Sequence, residues 1–226
     1  TTFAITQNPE SAFTSTGNSP YYLWGRKDPF LPSNGTSTTD KACFGTKWSY
    51  SGTSVTIGAN IQNPTVHYYN SSNYGPCNTT YYNMWSAKNT KVNVAYNVAD
   101  EPVIKTVYDP CPPGFHVAPT NAFTGFTTTG TNTSSSSQFN VNGSFSAGWN
   151  FYTGKNKTGG TLFFPASGCR SSSSGALYNV SSYGYYWAAV PYSTNHGRSL
   201  SFSSASVNPL GSTTRAYGFV VRPVQE

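Results

Sequence analysis

Apolar residues along this chain fall into short alternating runs rather than helical ones. Ser199-Leu200-Ser201-Phe202-Ser203 alternates strictly, Tyr185-Tyr186-Trp187-Ala188-Ala189-Val190 ends at Pro191, Leu162-Phe163-Phe164 stops at Pro165, and Gly218-Phe219-Val220-Val221-Arg222 closes the series. Successive side chains of a strand point to opposite sides, so each run predicts a strand. Leu200 and Phe202 are expected to face a core, with Ser199, Ser201 and Ser203 on the other side. A sheet with one buried face and one face of small polar groups follows. Apolar positions at i, i+3, i+4 and i+7 that are free of Gly, Pro, Asn or Ser are hard to find. Two short helices are predicted, over Asn83 to Asn89 (NMWSAKN) and over Thr120 to Phe126 (TNAFTGF), the second with Thr120 as its cap after Pro119.

Between the strands lie Ser/Thr/Gly/Asn stretches, notably Thr127 to Gln138, Ser171 to Gly175 and Asn208 to Thr214. They read as loops longer than ordinary connections, of the kind that bind something or stay disordered. No step in composition marks a boundary. The chain therefore reads as one domain over residues 20–226, preceded by an N-terminal extension or first strand over residues 1–19, and 226 residues suffice for a sizeable core.

Composition narrows the classes. Charged residues make up 9% and aromatic residues 16%, against roughly 25% charged in an ordinary domain, which excludes disorder. Ser, Thr and Asn supply 81 of 226 residues, so the surface must consist mainly of small uncharged hydrogen-bonding groups, unlike that of a cytoplasmic enzyme. The net charge of +6 comes from only 7 acids against 13 bases, and the densest basic run, Arg26-Lys27, is followed at once by Asp28. No nucleic-acid partner is expected, because counterion release needs Lys and Arg gathered on one face. No apolar run of about 18 residues predicts a membrane span, and no charged-then-apolar leader is present. A chain opening on Thr1 is expected to be a mature product or a part of something longer. With the surface composition, this points to an extracellular or cell-surface location, or to a virion tail. Cys43, Cys77, Cys111 and Cys169 have no CxxC spacing; one or two disulfides of undetermined connectivity in an exported protein, or buried free thiols, would fit, and the surface composition favours export.

Catalytic constellations are scarce. His67, His116 and His196 are far apart, no Gly-x-Ser-x-Gly elbow occurs, and the neighbours Asp100 and Glu101 would point to opposite sides of a strand. No catalytic residue and no cofactor is expected. Calcium wants six to eight oxygens, several from carboxylates, which so few acids do not supply; no metal site is expected either. Non-catalytic binding remains, since Tyr gives large contact area at low entropic cost while Ser and Asn give adaptable hydrogen bonds. Tyr178, Tyr183, Tyr192 and Tyr217 gather in the C-terminal third, although each also fits a packed ring with only its hydroxyl at the surface.

Three segments carry a resemblance to a known family. Tyr108-Asp109-Pro110-Cys111-Pro112-Pro113-Gly114-Phe115-His116-Val117-Ala118-Pro119 is similar to the Cys-Pro-x-Gly-aromatic segment of the Fibrobacter succinogenes major paralogous domain. Tyr21-Tyr22-Leu23-Trp24-Gly25-Arg26-Lys27-Asp28-Pro29 resembles the Trp-Gly-Arg-Lys-Asp segment of its Bacteroides-like members. Phe164 to Arg170, Gly184 to Trp187 and Gly218 to Val224 complete the pattern in order. The resemblance implies an α+β, C-type-lectin-like domain of mostly short antiparallel strands, long loops and one or two short helices, in which N- and C-terminal strands pair. Gly218 to Arg222 would be its last central strand, with Phe219 and Val221 on one side and Val220 and Arg222 on the other. Many members carry a cysteine where this chain has Pro223, so the family's pairing for Cys111 does not transfer. The Glu-Pro-Asn and Trp-Asn-Asp motifs of calcium lectins are absent: Glu101-Pro102 is followed by Val103.

The Gly-Phe-x-Val-Arg ending also resembles the variable proteins of diversity-generating retroelements. Scaffold-like residues alternate here with unrelated ones at Tyr192, Thr194, Asn195, His196, Arg198, Ser201, Ser203 and Tyr217. The expected function is a non-catalytic, adhesin-type module on a bacterial surface, pilus tip or phage tail fibre. It would bind a protein or glycan receptor through Tyr178, Tyr183 and those eight positions, with Arg198, His196 and Tyr192 as charged and aromatic anchors. The alternative is a structural or assembly domain of a surface filament or tail fibre, whose partners are pilus or tail-fibre subunits.

Overall fold

The computed structural model describes residues 20–30, 49–53, 55, 57–68, 82–90 and 102–226. Cys43, Cys77, Asp100, Glu101 and the N-terminal residues 1–19 lie outside that set. Among the described residues strands dominate: β1 (Tyr21–Leu23), β2 (Ser49–Ser51), β3 (Val66–Tyr68), β4 (Phe115–Val117), β5 (Val141–Asn142), β6 (Gly148–Gly154), β7 (Thr158–Pro165), β8 (Cys169–Arg170), β9 (Leu177–Tyr178), β10 (Gly184–Pro191), β11 (His196–Phe202), β12 (Val207–Thr214), β13 (Gly218–Val220) and β14 (Pro223–Gln225). One α-helix, α1 (Ile57–Gln62), and 3₁₀ helices over Thr120–Phe126 and Ser136–Gln138 accompany them. The chain is mostly β with few helices.

A seven-stranded sheet in the order β12-β11-β10-β13-β8-β9, with β1 also paired to β13, organises the molecule. Its centre, β13, runs antiparallel to β1 and β8 and parallel to β10. The pairing Tyr22↔Phe219 joins an early segment to a late one. Small sheets flank it: β5-β6-β7, β14-β4 and β2-β3.

Both faces of the large sheet are packed. Tyr186, Ala188, Leu200, Phe202 and Val220 face Phe123, Phe139, Trp149, Phe151 and Phe164 of the 3₁₀ helix and the three-stranded sheet. The rings interlock edge to face, with Phe151–Phe202 centroids at 5.4 Å and Phe164–Tyr186 at 5.1 Å. Gly184 is required here, because a Cβ would lie 2.1 Å from the Phe202 ring. On the other face Trp187, Ala189, Phe219 and Cys169 meet Trp24, Met84, Trp85, Cys111 and Val117. Asp109 secures that cover. Its buried carboxylate accepts from the backbone N–H of Cys111 (2.8 Å) and Val117 (2.9 Å) and pairs with Lys105 Nζ at 2.8 Å. Cys111 and Cys169 are buried free thiols, raised by burial, Cys169 to about 12.

Three of the alternating runs are strands and the fourth is one over Gly218–Val220, ending before Val221 and Arg222; Leu200 and Phe202 are fully buried, and Phe219 with Val221 lies opposite Val220 and Arg222 as expected. Four expectations are corrected. The serine side of β11 is not an open polar face: Ser199 and Ser203 are buried and Ser201 half-buried, because a second apolar layer covers the outer side of the sheet. Asn208 to Thr214 is strand β12, held by β11 from His196↔Thr214 to Phe202↔Val207. Asn83 to Asn89 is not helical. Ser86 Oγ accepts from the N–H groups of Lys88 and Ile104, and Asn89 donates to the carbonyls of Tyr82 and Ala189, so side-chain bonds, two of them to distant backbone, replace helical ones. Thr120 to Phe126 is a 3₁₀ helix that starts at Pro119 without a side-chain cap, Thr120 being buried.

Candidate functional site

The predicted binding residues separate into two surface groups and one interior pair. The first group is the β10–β11 hairpin tip. Tyr192 and Ser193 donate their N–H groups to the His196 carbonyl, and His196 N–H donates to Ser193 Oγ. Asn195 Oδ1 accepts from Ser193 Oγ at 3.0 Å and lies 2.7 Å from His196 Nδ1. Thr194 is exposed at the apex. Beneath the tip the fully buried Arg215 donates from Nη2 to the Ser193 carbonyl (2.8 Å) and from Nε to the His196 carbonyl (3.2 Å), while its guanidinium lies 4.2 Å over Trp24. Burial, then the Arg215 charge, holds the His196 imidazole below its ordinary pKa.

Arg198 and Ser203 are the interior pair. Arg198 does not present its charge: it is 2% exposed, its guanidinium stacks 4.2 Å from the Tyr192 ring, and Nη1 donates to the Leu210 carbonyl. It supports Tyr192 from below, as a strand residue between two paired neighbours must. Ser203, also buried, closes the β11–β12 turn through Ser206.

The second group is an aromatic ramp on the outer face. Trp187 stacks on Phe219 (4.4 Å, 29°), Phe219 on Tyr185 (4.8 Å, 20°), and Tyr185 on Tyr183 (5.7 Å, 8°). Exposure climbs along it, from a fully buried Trp187 to Tyr183 at 38%, and Tyr178 on β9 is 59% exposed. The half-buried Tyr217 packs on Phe219 at 5.8 Å, and half-buried Ser201 pairs directly with Tyr185 across the strands. The loop that carries Tyr178 and Tyr183 is tightly built. Asn179 and Ser181 adopt left-handed φ of 57° and 65°, the N–H of Tyr183 donates to the Asn179 carbonyl, and Ser181 N–H donates to the Ala166 carbonyl. Asn179 Nδ2 donates to the Tyr185 hydroxyl at 3.1 Å. Desolvation chiefly, opposed by that Asn179 bond and aided by nearby Cys169, Tyr183 and Tyr178, pushes the Tyr185 phenol up to about 12.

Sequence reasoning missed Tyr185 and Phe219 as the floor of this surface, and Asn179 and Arg215 as its positioning groups. The Tyr183-x-Tyr185 spacing was the available signal for the first, since residues two apart share a strand face. Nothing local marked Arg215. His67 sits elsewhere, fully buried against Phe30 and Tyr50, and burial with the charges of Arg170 and Arg26 lowers it to about 3. Among the described residues no three His, Cys, Asp or Glu side chains gather as a metal site, and no helix is long and apolar enough to cross a membrane.

A family profile described as a domain of unknown function, DUF8237, matches residues 147–224. That segment runs from the start of β6 into β14 and so contains both surface groups. No curated protein and no solved structure matches the chain.

Proposed function

We propose that this chain is a non-catalytic binding module of adhesin type, exported to a cell surface, pilus tip or tail fibre, that grips a protein or glycan receptor with its C-terminal third. The observation that carries this reading is the preorganised aromatic surface. Tyr178, Tyr183 and Tyr192 are exposed, yet Tyr183 is braced by a stacked ring and Tyr192 by a stacked guanidinium. A braced ring loses little freedom when a partner lands on it, which is why rigid tyrosines serve as anchors in evolved binding surfaces.

A C-type-lectin-like fold of the Fibrobacter paralogous kind is part of the proposal; it is supported by the β1–β13 pairing and by the succession of short strands around it. Retroelement diversification is its further extension. Tyr192, Thr194, Asn195 and His196 sit together on one hairpin, the arrangement such variation needs, whereas Arg198 and Ser203 are poor targets because they are buried. A reverse-transcriptase gene beside a near-copy of the region encoding about Tyr185 to Val224 would support that extension, and its absence from the genome would remove it.

Immobilised chain incubated with host-cell and bacterial-surface material tests the main reading. Retention of a receptor by the native chain, with loss in Tyr178→Ala/Tyr183→Ala or Tyr192→Ala/His196→Ala at unchanged melting temperature, is expected. Recovery of filament subunits alone would replace it with the assembly role.

A further inference from the structure

Residues 171–221 expose almost no charge. Between Ser171 and Val221 the charged residues are Arg198 and Arg215, at 2% and 0% exposure, and Arg170 just before them is fully buried too. Burial and the Arg215 charge disfavour the charged form of the half-buried His196. An anionic ligand therefore meets no exposed cation in this stretch, and a cationic one meets no carboxylate. What the surface does offer is a flat phenol face at Tyr183, continued by the three rings stacked beneath it, with exposed Tyr178 at the other end of the same loop. The same loop supplies a neutral hydrogen-bonding rim in Asn179, Ser181 and exposed Ser182.

Resting on the binding-module reading, we infer that the Tyr178–Tyr183 surface is a subsite for an uncharged pyranose of a neutral oligosaccharide. The C–H bonds on one side of a pyranose ring carry small positive partial charges and meet the negative face of an aromatic ring, while the sugar hydroxyls around the edge need donors and acceptors without net charge. A phenol face with an amide and hydroxyl rim supplies both. A four-ring stack whose inner members are buried keeps the outermost ring from tilting, so the sugar meets a fixed plane. The hairpin tip, whose polar atoms Asn195 Oδ1, Ser193 Oγ and His196 Nδ1 are already engaged with one another, offers no such platform.

The test is an array of neutral oligosaccharides of glucose, galactose, mannose and N-acetylhexosamines beside sialylated and sulfated counterparts, probed with the full chain and followed by titration of the best neutral hit. Neutral sugars are expected to bind, their anionic counterparts no tighter, with affinity changing less than about twofold between low and high salt because no ion pair is formed. Tyr178→Ala/Tyr183→Ala is expected to lower affinity by about tenfold or more, Tyr183→Phe to retain it, and Val107→Ala, an exposed apolar residue outside both surface groups, to leave it unchanged. Tyr178→Ala alone, at a more exposed ring, gives the same reading if the double variant does not fold. Binding confined to anionic glycans, or neutral binding that survives the double substitution, overturns the inference. If no glycan binds but a purified protein receptor does, the inference fails and the binding-module reading stands; if neither binds, both fail.

Discussion

The two faces of the seven-stranded sheet use the same kind of residue for different ends. On the inner face Phe151 meets Phe164 and Phe202 edge to face, Phe164 meets Tyr186 likewise, Tyr186 and Phe202 lie nearly parallel, and all four are closed off on all sides. On the outer face Trp187, Phe219, Tyr185 and Tyr183 lie nearly parallel, and the series begins as core and ends at the surface. Parallel pairs occur on both faces, Tyr186 with Phe202 on the inner one, but a stack that runs out from under its cover leaves its last ring with one face uncovered by the next. An aromatic cluster is thus a closed core where a second layer covers it and a platform where the cover stops. Here that cover is the segment held by Asp109.

The sharpest way to break the contrast is Phe202→Ala, which opens a cavity on the closed face and should cost about 4 kcal/mol in chemical denaturation. Asp109→Ala attacks the cover of the other face instead; it leaves the N–H groups of Cys111 and Val117 without their acceptor and Lys105 with only the Cys111 and Phe115 carbonyls, and should cost about 3 kcal/mol, together with faster labelling of the Cys111 thiol. A flank outside both faces responds to pH. His67 has a folded pKa of about 3, below its unfolded value, so stability should be full above pH about 6.5 and fall by about 1.4 kcal/mol per pH unit as pH drops toward 3. His67→Phe should flatten that slope in urea titrations repeated at several pH values. Smaller still, Arg198→Ala should cost about 1 kcal/mol while speeding amide exchange at Tyr192 and Ser193, because the tip loses its stacked support. Smallest is Tyr183→Ala, at under about 1 kcal/mol, since the ring lost is the exposed end of the stack; a loss as large as that of Phe202→Ala would mean the ramp is core after all.

Much of the frame was legible because period-2 alternation reports strands directly. Ser199 to Ser203 and Gly218 to Arg222 show it, and the inward facing of Leu200, Phe202 and Val220 follows from it. Asn208 to Thr214 was not legible. Its Asn, Pro, Gly and Ser residues have turn chemistry, and only pairing along the whole of β11 makes it a strand. Asn83 to Asn89 failed in the opposite direction: its propensity is helical, but Ser86 and Asn89 bond to backbone far along the chain. The site was half legible. Tyr178, Tyr183, Tyr192 and Thr194 are at the surface, while Arg198 and Ser203 carry the same polar label and are buried.

By itself the sequence determined that the four alternating runs form strands, that Leu200 and Phe202 mark the apolar side of theirs, and that residues 171–221 hold only two charged side chains. Those properties are local: they depend on spacing and composition within a few residues. Only the tertiary structure decided that the polar side of β11 would be covered, that Arg198 and Arg215 would be turned inward onto Tyr192 and Trp24, and that Tyr183 would stand at the open end of a stack. Burial is set by what packs on a residue from distant parts of the chain, and here that is the stretch around Met84, Trp85 and Cys111. No local pattern can report where such a cover ends, and the candidate binding surface is what lies beyond its edge.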